Sequence, residues 1–145
     1  MWLRWWSLLG FAAMAGGFFA LLVDGRLLSL DPFVIAAQCA AAALIISARR
    51  HLGLRSFHVG AEPTHGGLVM QGPYRVIRHP IYTGVCLFIW PAALSCYTLP
   101  SFRLTALVTV GAIIRMFCEE RLLVKHYPEY TIYARVTKRM IPFVV

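Results

Sequence analysis

The sequence predicts an all-α integral membrane protein with about four transmembrane helices. Composition is the first reason: 59% of the residues are hydrophobic and only 14% are charged, with a mean hydropathy of +0.68. A soluble domain needs roughly a quarter of its residues charged. The second reason is that several apolar runs approach the ~20 residues a helix needs to cross a bilayer. The third is that the basic residues fall on alternate sides of those runs. A chain of 145 residues is about one domain, so residues 1–145 are read as a single membrane unit, with two amino-terminal spans in 1–48.

The first span covers Trp5 to Val23, "WWSLLGFAAMAGGFFALLV", without a charge. Trp2, Trp5 and Trp6 beside Arg4 form an interfacial anchor at its start. A cleaved signal peptide is the competing reading, disfavoured by the length of the run and by the lack of a convincing small-x-small site after it. The second span, "DPFVIAAQCAAAALIISA", covers Asp31 to Ala48. Pro32 suits a first helical turn, and the alanines allow close approach of a neighbour. The third is expected from Pro80 to Tyr97 and the fourth from Phe102 to Cys118. Both are short, which puts their ends in the interface.

With four spans the termini share a side. On that side lie Arg4, then Arg49, Arg50, Arg55, Arg75 and Arg78, then Arg121, Lys125, Arg135, Lys138 and Arg139; the opposite loops hold Arg26 and Arg103. The positive-inside rule makes the termini and the long middle segment cytoplasmic, in a bacterial inner membrane or an endomembrane. The net charge of +8 is then chiefly a topology signal, with anionic headgroups as a secondary partner and no nucleic acid implied. Cys39, Cys86, Cys96 and Cys118 show no C-x-x-C pair and read as buried thiols. His51, His58, His65, His79 and His126 have no ligand spacing, so no metal is expected.

Polar material collects in Arg49 to His79 and from Glu119 onward. In "HGGLVMQGPYRVIRHP", Gly66, Gly67 and Gly72 with Pro73 turn the chain and let a ligand approach the backbone. Neither a Rossmann fingerprint nor a P-loop is present. Pro80 has no N–H to lose at a helix start, so a span opening there puts His79 near the N-cap and Tyr82 in the first turn. The unpaired N–H groups of that turn favour an anionic or polar ligand group. Tyr74, Tyr82, Arg75 and Arg78 also suit plain interfacial anchoring.

In "AIIRMFCEERLL", Arg115 and Glu119 stand at i and i+4 on one helix face, with Glu120 adjacent. A charge at a membrane helix centre costs about 2.5–3.5 kcal/mol on insertion scales, so these groups need compensation. Either they pair with each other, or they meet a ligand that carries both signs of charge.

"GPYRVIRHPIYTG", then "RMFCEERLL" and then "HYPEYTIYARVTKRMIPF" together resemble the membrane-embedded isoprenylcysteine carboxyl methyltransferase family and its bacterial and phospholipid-methyltransferase relatives. The likeness runs from about Gly66 to Phe143, and makes residues 49–145 a methyltransferase-like core. It implies an S-adenosyl-L-methionine site built by the last two spans, the connecting loop and the tail. By position, Gly67, Leu68, Val69, Tyr74, His79, Pro80, Tyr82 and Glu119 would bind the cofactor, with Glu119 on its α-amino group. Arg115 would hold the acceptor carboxylate and so serve catalysis. Arg75, Arg78 and Glu120 are further candidates. Gly66 stands where eukaryotic members carry a histidine, and the amino-terminal part is shorter than theirs.

The chemistry agrees with that resemblance. Methyl transfer from a sulfonium needs alignment and exclusion of water. A carboxylate acceptor is already ionised near neutral pH, and an arginine orients it with two parallel hydrogen bonds. A thiol or amine would need a base, for which Glu120, His79 or Tyr82 are the candidates. The partners implied are the bilayer and a hydrophobic or lipid-tailed acceptor, a prenylcysteine-like compound foremost. The alternatives are an NADPH-dependent membrane reductase of the sterol-reductase type, which shares an H-P-x-Y stretch and a Tyr-rich tail, and a non-catalytic membrane interaction protein.

Overall fold

The computed structural model describes residues 2–53 and 67–141. Arg55, His58, His65 and Gly66, named above, lie outside the described residues, as does the tail beyond Ile141. The described chain forms α1 (Trp2–Val23), α2 (Pro32–Leu52), a 3-10 turn (Gly72–Arg75), α3 (Pro80–Cys96), α4 (Leu99–His126) and α5 (Tyr130–Val136).

The starts of α2 and α3 follow from local backbone chemistry. Asp31 caps α2, its carboxylate accepting from the backbone N–H of Phe33 at 2.8 Å and of Val34 at 3.4 Å, with Pro32 opening the helix. His79 is the N-cap residue of α3 and Pro80 its first helical position, as the H-P pair predicts. Tyr97, in the left-handed region at φ 49°, ends α3.

The fourth apolar helix is longer than the sequence reading allowed. It begins three residues before Phe102 and runs on past Cys118 through His126. Glu119, Glu120, Arg121 and Lys125 are good helix formers, and the two glutamates find cationic partners, so charge does not end the helix. Arg115 and Glu119 therefore sit inside α4 rather than at its tip.

By length and composition α1, α2 and α4 are apolar enough to cross a membrane. α3, at 17 residues, is about 25 Å long, somewhat less than a hydrocarbon core about 30 Å thick. Outward-facing side chains such as Trp2, Trp5, Phe19, Leu30 and Phe33 are more than half exposed, as suits a lipid-facing surface. The fold is that of an all-α membrane protein.

Two close helix crossings fix the layout: α1 lies along α4, and α2 lies along α3. At the first, a Cβ on Gly111 would fall 2.6 Å from the carbonyl oxygen of Gly10, and one on Gly10 would fall 2.8 Å from that of Gly111. Only hydrogen fits on either side, so the backbones touch, which is how helices gain contact where lipid offers no hydrophobic drive. The core between the pairs holds Leu21, Leu27, Ile89 and Val108 in one cluster, and Tyr82, Ala112 and Met116 in another. The second cluster lies directly against the polar groups described next.

After α5 the chain returns to the start of α3. Ile77 and Lys138 form an isolated parallel bridge. Around it the N–H of Arg78 donates to the Lys138 carbonyl at 2.7 Å, that of His79 to Arg139 at 2.9 Å, and that of Lys138 to Val76 at 3.1 Å. The Thr83 hydroxyl donates to the Met140 carbonyl at 2.7 Å. The returning segment thus lies across the first turn of α3.

Candidate functional site

α3, α4 and the returning segment meet around two adjacent carboxylates. Successive residues of a helix point about 100° apart, so Glu119 and Glu120 serve different neighbours. Glu119 faces α3: it accepts a short hydrogen bond from the Tyr82 hydroxyl and one from Arg115 Nη2 at 3.3 Å. Arg115 Nε also donates to the Tyr82 oxygen, at 2.9 Å. Tyr82 therefore links acid and base. Arg115 is only 5% exposed, while the Glu119 side chain keeps 23% exposure, so the carboxylate is the accessible member of the pair.

Glu120 faces the return. It accepts from Arg78 Nε at 2.9 Å and from Arg139 Nε at 3.0 Å. Arg78 also donates through Nη1 to the carbonyls of Ala134, at 2.9 Å, and Thr137. One guanidinium thus clasps α4, the end of α5 and the start of the return together. The fork geometry of arginine makes such a clasp possible; a lysine would offer one point charge.

His79 lies between the two acids, its ring stacked on Tyr82 at a centroid separation of 5.7 Å. Its Nδ1 is 3.7 Å from Glu119 and its Nε2 is 3.4 Å from Glu120. The Nε2 contact is near enough for a hydrogen bond but badly aligned, and Nε2 is buried with no hydrogen-bond partner among the described residues. The hydroxyl of Tyr130 is in the same condition. Buried polar atoms of this kind are costly to leave unmatched.

Tyrosines pack the outer wall. The Tyr133 hydroxyl donates to the Tyr74 carbonyl at 2.6 Å, and burial pushes the Tyr133 phenol up to about 12. Burial, and after it the charge of Glu119, holds the Tyr74 phenol well above its ordinary range. Tyr130 is raised in the same way, by burial first and then by Glu120. These phenols are neutral donors at any physiological pH.

The structure thus brings together Tyr74, Arg78, His79, Pro80, Tyr82, Arg115, Glu119 and Glu120 of the residues singled out in the sequence. Gly67, Leu68 and Val69 follow the undescribed stretch in irregular backbone, Gly67 at φ 77°, and add no polar side chain to the cluster. Arg75 is exposed and takes no part in it. Sequence reasoning did not single out Thr83, Tyr130, Tyr133 or Arg139, nor Phe11, whose ring centroid lies 5.1 Å from the Arg115 guanidinium carbon; only the fold brings them to the site.

The cluster has a chemical character that limits its ligands. Acid, cation and an imidazole face one another at one end of an apolar bundle. An amphiphilic, zwitterionic group suits it. An amino-acid moiety such as that of S-adenosyl-L-methionine would find a carboxylate for its ammonium in Glu119 and a donor or acceptor in His79, so the residues present fit that cofactor.

Fold and site together define a helical membrane protein with a buried polar cluster at one end of its bundle. The phospholipid methyltransferase family matches residues 33–130, more than half of the chain. The chain belongs to this family, whose members are membrane methyltransferases related to the isoprenylcysteine carboxyl methyltransferases. They generally use S-adenosylmethionine. A membrane methyltransferase is the reading this supports.

Among curated proteins, a nickel-cobalt-cadmium resistance protein, NccN, of Alcaligenes xylosoxydans xylosoxydans is 37% identical over 81 residues, which is 52% of this chain and 36% of that protein. The chain thus spans about a third of the length of that relative. No solved structure matches.

Proposed function

We propose that this chain transfers the methyl group of S-adenosyl-L-methionine to a hydrophobic or lipid-linked acceptor at the membrane interface, and that the acceptor group is a carboxylate of the prenylcysteine kind. The observation that carries the reading is the Arg115–Tyr82–Glu119 link: opposite charges on one helix face, 3.3 Å apart, held by a shared phenol at the end of an apolar bundle. A purely structural ion pair does not need the partial exposure of Glu119.

When bound, the cofactor supplies an activated methyl group on a sulfonium. Every other requirement falls to this chain. Glu119 binds the ammonium of the amino-acid moiety, with His79 beside it. Arg115 orients the acceptor carboxylate, which needs no base. Tyr82 keeps both side chains in register, and the tyrosines of the outer wall with the returning segment exclude water. A polar cofactor reaches this end from the aqueous side, and an apolar acceptor reaches it from the bilayer. The positive-inside distribution of arginine and lysine supports a cytoplasmic position for that end and both termini. Residues 1–145 act as one membrane unit in this reading.

Calorimetric titration of S-adenosylhomocysteine into the detergent-purified protein tests the proposal, with NADPH as control. Binding should vanish in Glu119→Ala. Arg115→Ala should retain it and lose turnover of N-acetyl-S-farnesylcysteine. Normal binding and turnover in both variants would show the assigned roles to be wrong. Turnover of a phospholipid amine in preference to the carboxylate would move the acceptor to the class that gives the family its name.

A further inference from the structure

We propose that Phe11 of α1 is a positioning residue for Arg115, holding its guanidinium through the ring face when Glu119 turns to a ligand. The inference rests on the methyltransfer reading above. α1 lies outside residues 33–130, the part matched by the family, and nothing in its sequence marks a site. In the structure, however, the Arg115 guanidinium carbon lies 5.1 Å from the centroid of the Phe11 ring, within the range of a cation–π contact.

The placement of Phe11 is fixed by its neighbour. Gly10 touches the backbone of α4 at Gly111, and a Cβ on Gly10 would stand 3.3 Å from Cγ of Arg115. The next residue along α1 is therefore held at the height of the guanidinium. Met14, one turn on, packs against the cluster formed by Tyr82, Ala112 and Met116. α1 thus supplies the apolar wall that faces Tyr82 across Arg115.

The chemistry explains why a ring is useful there. Glu119 anchors Arg115 at 3.3 Å, but the proposed cofactor draws that carboxylate to its ammonium. Among its contacts Arg115 then keeps those to the Tyr82 oxygen and to the Phe11 ring. An aromatic face attracts a cation without taking any of its N–H groups, so Phe11 adds to the hold on Arg115 without competing with an acceptor carboxylate for them. A carboxylate at position 11 would compete with the acceptor, and an aliphatic side chain would leave the cation buried with less compensation.

The test compares Phe11→Leu with Phe11→Tyr, which keeps the ring face. With N-acetyl-S-farnesylcysteine as acceptor, Phe11→Leu should lower kcat/KM by roughly 3- to 30-fold, the loss a desolvated cation–π contact represents, with S-adenosylhomocysteine affinity unchanged. Phe11→Tyr should restore turnover. A second readout needs no turnover: the Nε–H resonance of Arg115 in nitrogen-labelled protein, identified by its disappearance in Arg115→Lys, should lose its ring-current shift in Phe11→Leu and keep it in Phe11→Tyr. Wild-type kinetics in Phe11→Leu, failure of Phe11→Tyr to rescue, or an unmoved Arg115 resonance would each overturn the proposal. If wild-type protein neither binds S-adenosylhomocysteine nor turns over acceptor, the methyltransfer reading falls, and the resonance alone decides whether Phe11 holds Arg115.

Discussion

Glu120→Gln should release the returning segment from α3 while leaving the helical bundle folded. The substitution keeps size and removes charge. Arg78, whose side chain is 7% exposed, loses its anionic partner at 2.9 Å. A hydrogen bond to a charged group contributes about 1.5–3 kcal/mol. Removing one side of a buried pair costs about 3–5 kcal/mol when nothing else compensates the charge left behind. Arg78 retains the carbonyls of Ala134 and Thr137, which favours the lower figure. The Arg139 contact adds little, because that side chain is 40% exposed and an exposed pair contributes about 0–1 kcal/mol. A net loss of about 2–4 kcal/mol corresponds to roughly 30- to 1,000-fold in the docking equilibrium.

Hydrogen exchange reads that loss directly, because the bridging amides of Arg78, His79 and Lys138 all depend on docking. They should exchange faster by about that factor, while amides in the middle of α1 and α4 keep their protection. Unchanged exchange at the three amides would refute the clasp. Equal loss throughout α1 and α4 would show that Glu120 supports the bundle rather than the return.

Three further outcomes follow from the packing and the phenols. Gly111→Leu forces a side chain against the Gly10 carbonyl, which as backbone cannot step aside; it should cost at least the 1–3 kcal/mol typical of overpacking and lower the unfolding temperature in detergent, whereas Gly16→Leu, where a Cβ meets nothing within 4 Å, should not. The Tyr133 phenol, raised from an ordinary value of 10 to about 12 by burial, binds its proton more tightly in the docked state. Docking is therefore unaffected below pH 10 and weakens as pH rises through 12. Tyrosinate absorbance followed alongside exchange at Lys138 should show this, and Tyr133→Phe should abolish that part of the pH dependence. Gln38→Leu removes the amide that donates to the Leu27 carbonyl at 2.7 Å and the Phe88 carbonyl at 3.3 Å, tying α2 to the α1–α2 loop and to α3. It should destabilise the α2–α3 pair by about 1–3 kcal/mol, measurable by thermal unfolding.

The sequence made some parts of this arrangement legible and hid others for physical reasons. Apolar runs located the helices because a bilayer demands length and hydrophobicity from one continuous segment. His79–Pro80 announced the start of α3 through local backbone chemistry, and Arg115–Glu119 announced a shared face through helical spacing. The end of α4 was misread, since local polarity argues for a helix exit unless the partners of the charges are known. Those partners are remote: Arg78 is 42 positions from Glu120, and Arg139 is 19 positions away on a different element. The Gly10–Gly111 crossing was equally hidden, because glycine in an apolar helix signals a close approach without saying to what.

The return of the chain to the start of α3 also imposes an order of assembly. All four long helices precede Lys138 and Arg139 in the chain, so they are made while Glu120 still lacks Arg139 and the start of α3 is uncovered. Until the return arrives, Glu120 has Arg78 without Arg139, and the N–H groups of Arg78 and His79 that the return will cover are left to water. Biogenesis of this protein then has two stages, insertion followed by closure. A quality-control protease or a chaperone would meet an inserted but open molecule whose helices are already in place.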